Sequence, residues 1–129
     1  MSSAISSIDH MVVMVRDLNG AAARWQRYGF KCSPRGFHDG LDTANHIAAF
    51  PSDYLELLGV RVPTEANRIY ADAIEQRPGL WGIAFRGVAR TAWEKLRAQG
   101  VPASEPRALT RPVQYRRSEE HTSELQSPI

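Results

Sequence analysis

Residues 8–15, Ile-Asp-His-Met-Val-Val-Met-Val, are the stretch on which the fold turns. Apart from Asp9 and His10 the run is apolar and rich in β-branched residues, and it has the length of a strand. Period-two geometry puts Ile8, His10, Val12 and Met14 on one face and Asp9, Met11, Val13 and Val15 on the other. An imidazole therefore stands in line with residues suited to a core. Working outward, Asp17 supplies an N-cap, and Leu18, Ala22, Trp25 and Tyr28 follow at helical spacing until Gly29 ends the helix. Phe30 to Gly36 then reads as a second strand, with Pro34 marking an edge or a bulge. His38 to Thr43 reads as a loop and residues 44–50, ANHIAAF, as a third strand. Pro51, Ser52 and Asp53 turn the chain into a fourth strand, Tyr54 to Val60. The order by residue 60 is β-α-β-β-β.

The pattern then starts again. A helical stretch from about Glu65 to Gln76 is closed by Pro78-Gly79. LWGIAFRGV, residues 80–88, reads as a strand, Ala89 to Gln99 as a helix stopped by Gly100, and Val101 onward as a further strand. Val15-Arg16-Asp17-Leu18 corresponds to Phe85-Arg86-Gly87-Val88, and Gly29-Phe30 to Gly100-Val101, one residue further along. Two unrelated ferredoxin-like βαβ pieces would give the same pattern, so the repeat alone does not decide between them. The expected organisation is a first module over residues 1–62, a helical linker over 63–78 and a partial second module over 79–116.

Composition narrows the classes. The 129 residues are 43% hydrophobic and 23% charged, values of one globular domain. The formal charge is +2, and the basic residues are scattered without a stripe or aromatic interleaving, which argues against a nucleic-acid surface. No apolar run has the length of a transmembrane helix, and MSSAISSIDH has neither basic leader nor signal core, so the expectation is a cytoplasmic protein with no membrane partner. The single cysteine, Cys32, agrees with a reducing compartment and has no neighbouring signal for a reactive thiolate.

IDHMVVMVRDL, then GFHDGLDTANH, then YLELLGV together resemble the vicinal oxygen chelate superfamily, and within it the glyoxalase-like (Glyoxalase_3-type) domains. The resemblance runs from about Ile8 to Arg116. It implies an α+β fold of paired βαβββ modules cupped around a ligand cavity, the glyoxalase, bleomycin-resistance and dioxygenase fold, with the second module incomplete here. Metal-using members place a His on the first strand and a Glu on the fourth, positions held here by His10 and Glu56. The resemblance thus implies a divalent ion (Mn, Fe, Ni or Zn) and isomerase, lyase or dioxygenase chemistry on a small oxygen-rich or aromatic metabolite. His38 and Asn45 match polar positions that recur in the subfamily and become candidate substrate contacts. A carboxylate within an apolar strand is costly unless it is paired or bound to a cation. Without the resemblance, His10 reads as a packed imidazole more readily than as a ligand, Glu56 as facing water or an arginine, Asn45 as a turn residue and His38 as solvated. His46 is expected at the surface. Trp25, Trp81 and Trp93 are expected in packing, with Trp81 the candidate cavity wall.

Two departures count against the metal, the loss of a second-module His and of that module's last strand, and the first favours a competing reading, a metal-free binding module of the drug-sequestering kind that builds its site as a homodimer. At the repeat offset the place of His10 is taken by Leu80, between Gly79 and Trp81, and none of the three can ligate through a side chain. The tail also differs in composition from the arginine-rich chain before it. Arg117 to Ser127, RSEEHTSELQS, is identical over its whole length to one reading frame of the common short-read library adapter. Residues 117–129 are therefore expected to be non-native, His121 is excluded as a ligand, and the second module is expected to lack roughly two strands. Such a chain would expose an unpaired sheet edge and an apolar face, and a third reading is a fragment that is inactive as given and has no function of its own.

Overall fold

The computed structural model describes residues 4–38, 40–108, 110–114 and 120–124, the last two segments as backbone. Three helices and seven strands are present among them: β1 (Ile5–Met14), α1 (Leu18–Arg27), β2 (Gly36–His38), β3 (Thr43–Ala49), β4 (Tyr54–Val60), α2 (Arg68–Gln76), β5 (Gly79–Gly87), α3 (Ala89–Ala98), β6 (Thr110–Gln114) and β7 (Glu120–Glu124). The first five strands form one sheet in the order β2-β3-β4-β1-β5, and β6 and β7 pair antiparallel in a second. This mixed α+β arrangement is the βαβββ fold, built as one module. By compactness the chain divides into residues 8–83 and into residues 1–7 with 84–129, so the division falls inside both β1 and β5.

In the 8–83 unit, β1 runs parallel to β4, with His10 beside Tyr54 and Val12 beside Glu56. β4 pairs antiparallel with β3 (Asn45 opposite Leu58), and β3 with β2 (Thr43 opposite His38). Alternation sorts these strands onto two faces. Helix α1 covers one face: Leu18, Ala21 and Ala22 pack on Ala44 and Leu57, with Val13, Val15 and Trp25 around them. The Asp17 carboxylate caps the helix at the Gly20 N–H, 3.0 Å, and Gly29 follows its end at φ +103°. On the other face Val12, Met14 and Leu58 pack with Ile74 of α2, flanked by Val60 and Tyr70. Burying a side chain such as Met14 or Leu57 contributes about 2 kcal/mol. Asn67, fully buried, pins the entry to α2: its amide donates to the Leu41 and Val62 carbonyls, and its Oδ1 accepts from the Thr64 N–H at 2.8 Å.

Three expectations need correction. The second strand is the short Gly36–His38 and not Phe30–Gly36. Pro34 has no N–H to give to a ladder, and only Cys32 makes an isolated bridge to Ala48; Ser33 instead holds β3, with its Oγ accepting from Ile47 N–H. Val101 to Ala108 forms no strand, since Pro102 and Pro106 interrupt its donors; pairing begins at Thr110. His46 is half-buried on the α1 face with Nδ1 2.8 Å from the Ser33 carbonyl, and its buried Nε2 has no hydrogen-bond partner among the described residues. Of the tail, only the backbone of Glu120–Glu124 is described; the rest of residues 115–129 lies outside the described residues.

The other unit is centred on α3. Ala84 and Ala92 are buried, Val88 N–H donates to the Ala4 carbonyl at 2.9 Å, and Ser6 Oγ donates to the Arg86 carbonyl at 3.2 Å. Trp93 lies under the guanidinium groups of Arg90 and Arg97 and donates its Nε1 proton to the Ala103 carbonyl. Its role is packing.

Candidate functional site

His10, His38, Asn45 and Glu56 come together on the α2 face of the sheet, within the 8–83 unit. Glu56 is at the centre. Its position on β4 faces a core, and its carboxylate is buried. The amide of Asn45 donates to Glu56 Oε2 at 2.8 Å, His10 Nε2 lies 3.7 Å from Oε1, and His38 Nε2 lies 3.8 Å from Oε2. The Asn45 amide nitrogen is also 3.4 Å from His38 Nε2. Asn45 is thus neither in a turn nor exposed; it lies inside β3 and holds the carboxylate.

Each imidazole is set by a second residue. Asp9 Oδ2 is 2.8 Å from His10 Nδ1, and since a carboxylate can only accept, Nδ1 carries the proton. In the neutral ring Nε2 then presents its lone pair toward Glu56. Acceptor facing acceptor across 3.7 Å is relieved by a proton or a cation between them. Tyr54 stacks on His10 with ring centroids 4.5 Å apart and planes 4° from parallel. His38 Nδ1 is 2.8 Å from the hydroxyl of Thr43, itself fully buried. Gly36 leaves room for this arrangement: a Cβ there would overlap Asn45 Oδ1.

Asp9, Thr43 and Tyr54 were not singled out from sequence. Thr43 lies two residues before Asn45 on the same strand face, a signal that alternation carries once β3 is known. Asp9 sits on the opposite face by period, yet its short side chain reaches the ring of its neighbour. Tyr54 meets His10 only through the β1–β4 register, which no local pattern fixes.

The donor types, two imidazole nitrogens and a carboxylate, suit a divalent metal. The spacing is wider than neighbouring ligands of such an ion, which lie roughly 3 Å apart for bonds near 2.1 Å. Among the described residues no group of three or more His, Cys, Asp and Glu side chains is already arranged as a metal cage. Leu80, at the place of a second-module His, is 65% exposed, and Trp81 is 37% exposed with its ring edge against Tyr70. Burial pushes the Cys32 thiol pKa up, away from thiolate character. The 84–106 region holds an apolar cavity of about 190 Å³ beside Phe85, Val88, Ala92 and Trp93, which brings together no acid–base pair.

The five-stranded βαβββ sheet thus carries the His–Glu–His cluster on one face. The family model for the glyoxalase-like domain (Glyoxalase_3) matches residues 8–123, and the chain belongs to that family. Solved structures share the fold. Methylmalonyl-CoA epimerase from Mycobacterium tuberculosis superposes with a TM-score of 0.60 at 19% identity, over 96% of this chain and 81% of that one. A methylmalonyl-CoA epimerase in complex with methylmalonyl-CoA and NH4+ gives 0.60 at 18% identity, over 93% and 85%. A hypothetical protein from Staphylococcus aureus gives 0.68 at 17% identity, covering 95% of this chain and 52% of that one. At these identities the likeness is one of fold. No curated protein matches the sequence significantly. No helix among the described residues is long and apolar enough to cross a membrane.

Proposed function

We propose that this glyoxalase-like domain binds a small oxygen-rich metabolite over the His10–Glu56–His38 cluster and moves a proton on it, with a divalent ion held by His10 and Glu56 and reached by His38. The observation that carries the reading is the convergence of two imidazole Nε2 atoms on the two oxygens of one buried carboxylate. The bound ion would supply Lewis-acid polarisation of neighbouring ligand oxygens. Asp9 holds His10 with Nε2 facing Glu56, and Asn45 anchors the carboxylate. His38, the more exposed imidazole of the two, turns its Nε2 to the same carboxylate, 3.8 Å from Oε2, while Thr43 steadies Nδ1. Epimerase relatives in fold, whose ligands include methylmalonyl-CoA, support an isomerase-type reaction on a carbonyl compound. The edge strand β5, with Leu80 and Trp81 exposed, is where a second copy would pair to form a homodimer. The single free thiol supports a cytoplasmic setting.

The Asn45–Glu56 hydrogen bond and Leu80 in place of a second imidazole favour one other reading, a metal-free binding module. Equilibrium dialysis of the chain against Mn, Fe, Ni and Zn separates the two. The expected result is about one retained ion per chain, abolished by His10→Ala and by Glu56→Ala. No retention of any of the four would select the metal-free binder.

A further inference from the structure

On the α1 face of the sheet, opposite His10 and Glu56, a cleft of about 170 Å³ opens between the start of α1 and the ends of β3 and β4. Its floor is Ala44 and Gly59. Gly59 is there because α1 lies close: a Cβ on residue 59 would come within 3.2 Å of Leu18 Cβ. These two small residues leave space for several waters, and so for one phosphoryl group.

Arg16, Arg35 and Arg61 rim this floor, arriving from three separate segments: after β1, before β2 and after β4. Arg16 donates to the Glu75 carbonyl at 2.9 Å, and half-buried Arg35 donates to the Asn19 amide oxygen. Both partners are neutral, and among the described residues neither guanidinium has a carboxylate partner. Only Arg61 is ion-paired, with Asp42 at 3.3 Å, while its guanidinium lies 5.0 Å from the centroid of Phe37. The one carboxylate lining the cleft, Asp17, accepts from the Gly20 N–H and so is engaged in capping. Bringing three cations to one rim costs self-repulsion, and a partly buried guanidinium with only an amide partner keeps donors that match a tetrahedral oxyanion.

We infer that this cleft is a binding site for a phosphate dianion, free or as a phosphate monoester, held by Arg16, Arg35 and Arg61. It is separate from the proposed metal site, and either can stand without the other.

Titration of the 15N-labelled chain with inorganic phosphate, at ionic strength fixed with sodium chloride, tests it. The expected result is saturable shifts of the Leu18, Asn19, Gly59 and Arg61 amides with Kd on the order of 1 mM. Arg35→Gln should weaken binding at least tenfold, and acetate should leave these amides unmoved. Should Arg35→Gln fail to fold by circular dichroism, Arg61→Gln carries the same expectation. Glycerol phosphate binding tighter than inorganic phosphate would mark an organic monoester as the ligand, and the reverse would mark the free ion. Shifts that never saturate, that acetate reproduces, or that survive both arginine substitutions would overturn the inference.

Discussion

Asp9 is 2.8 Å from His10 Nδ1, and that one contact decides which nitrogen of the ring faces Glu56. Carboxylates behind ligating imidazoles fix tautomer and orientation, and their loss weakens metal affinity by roughly 10- to 100-fold. Asp9→Asn should therefore lower metal retention in dialysis by about that factor with the fold intact by circular dichroism; retention equal to the parent chain would remove Asp9 from the account. At this scale much was legible. His10 and Glu56 stand out in sequence because each puts a polar group where strand periodicity demands an apolar one. Asn45 and His38 were visible only through their match to a family pattern. Tyr54 and Thr43 were not visible, because their partners are set by strand register and not by sequence neighbours.

Elements were read best where one signal acted alone. Tyr54–Val60 is bounded by a Pro-Ser-Asp turn and a change to polar residues, and both its ends fall where the sequence places them. The second strand shifted because Phe30 and the residues after it look strand-like, while Pro34 has no N–H to give and pairing there is limited to the Cys32–Ala48 bridge and to Ser33, whose N–H donates to the Ile47 carbonyl and whose Oγ accepts from the Ile47 N–H. The displaced strand has a consequence for the site, since it is Gly36, opposite Asn45, that leaves space for the Asn45 side chain. Gly36→Ala should push Asn45 off Glu56 and leave a buried carboxylate oxygen short of a donor, a loss of about 1–3 kcal/mol. Urea denaturation measures it, and an Asn45→Ala background should absorb most of the loss. Full additivity of the two substitutions would show that Gly36 acts elsewhere.

Across the whole molecule, the βαβββ order was legible from alternating periodicities and turn residues, and the family match runs over residues 8–123. Strand order was not, because the parallel β1–β4 pairing brings together residues more than forty positions apart. That order leaves β5 at the end of the sheet, with Leu80 and Trp81 exposed. An exposed apolar edge strand is a template for pairing. Sedimentation velocity should show concentration-dependent association that Leu80→Lys with Trp81→Ser diminishes. A parent chain that stays monomeric at every concentration would refute the β5 interface.

In the proposed site His10, His38 and Glu56 face one another to share a cation. Side-chain 15N resonances of the histidines, recorded while Zn is added, read this directly. One equivalent should move the Nε2 resonances of His10 and His38 together and leave His46, on the opposite face of the sheet, unchanged. Movement of His46 alone, or no saturable change at His10 and His38, would contradict it.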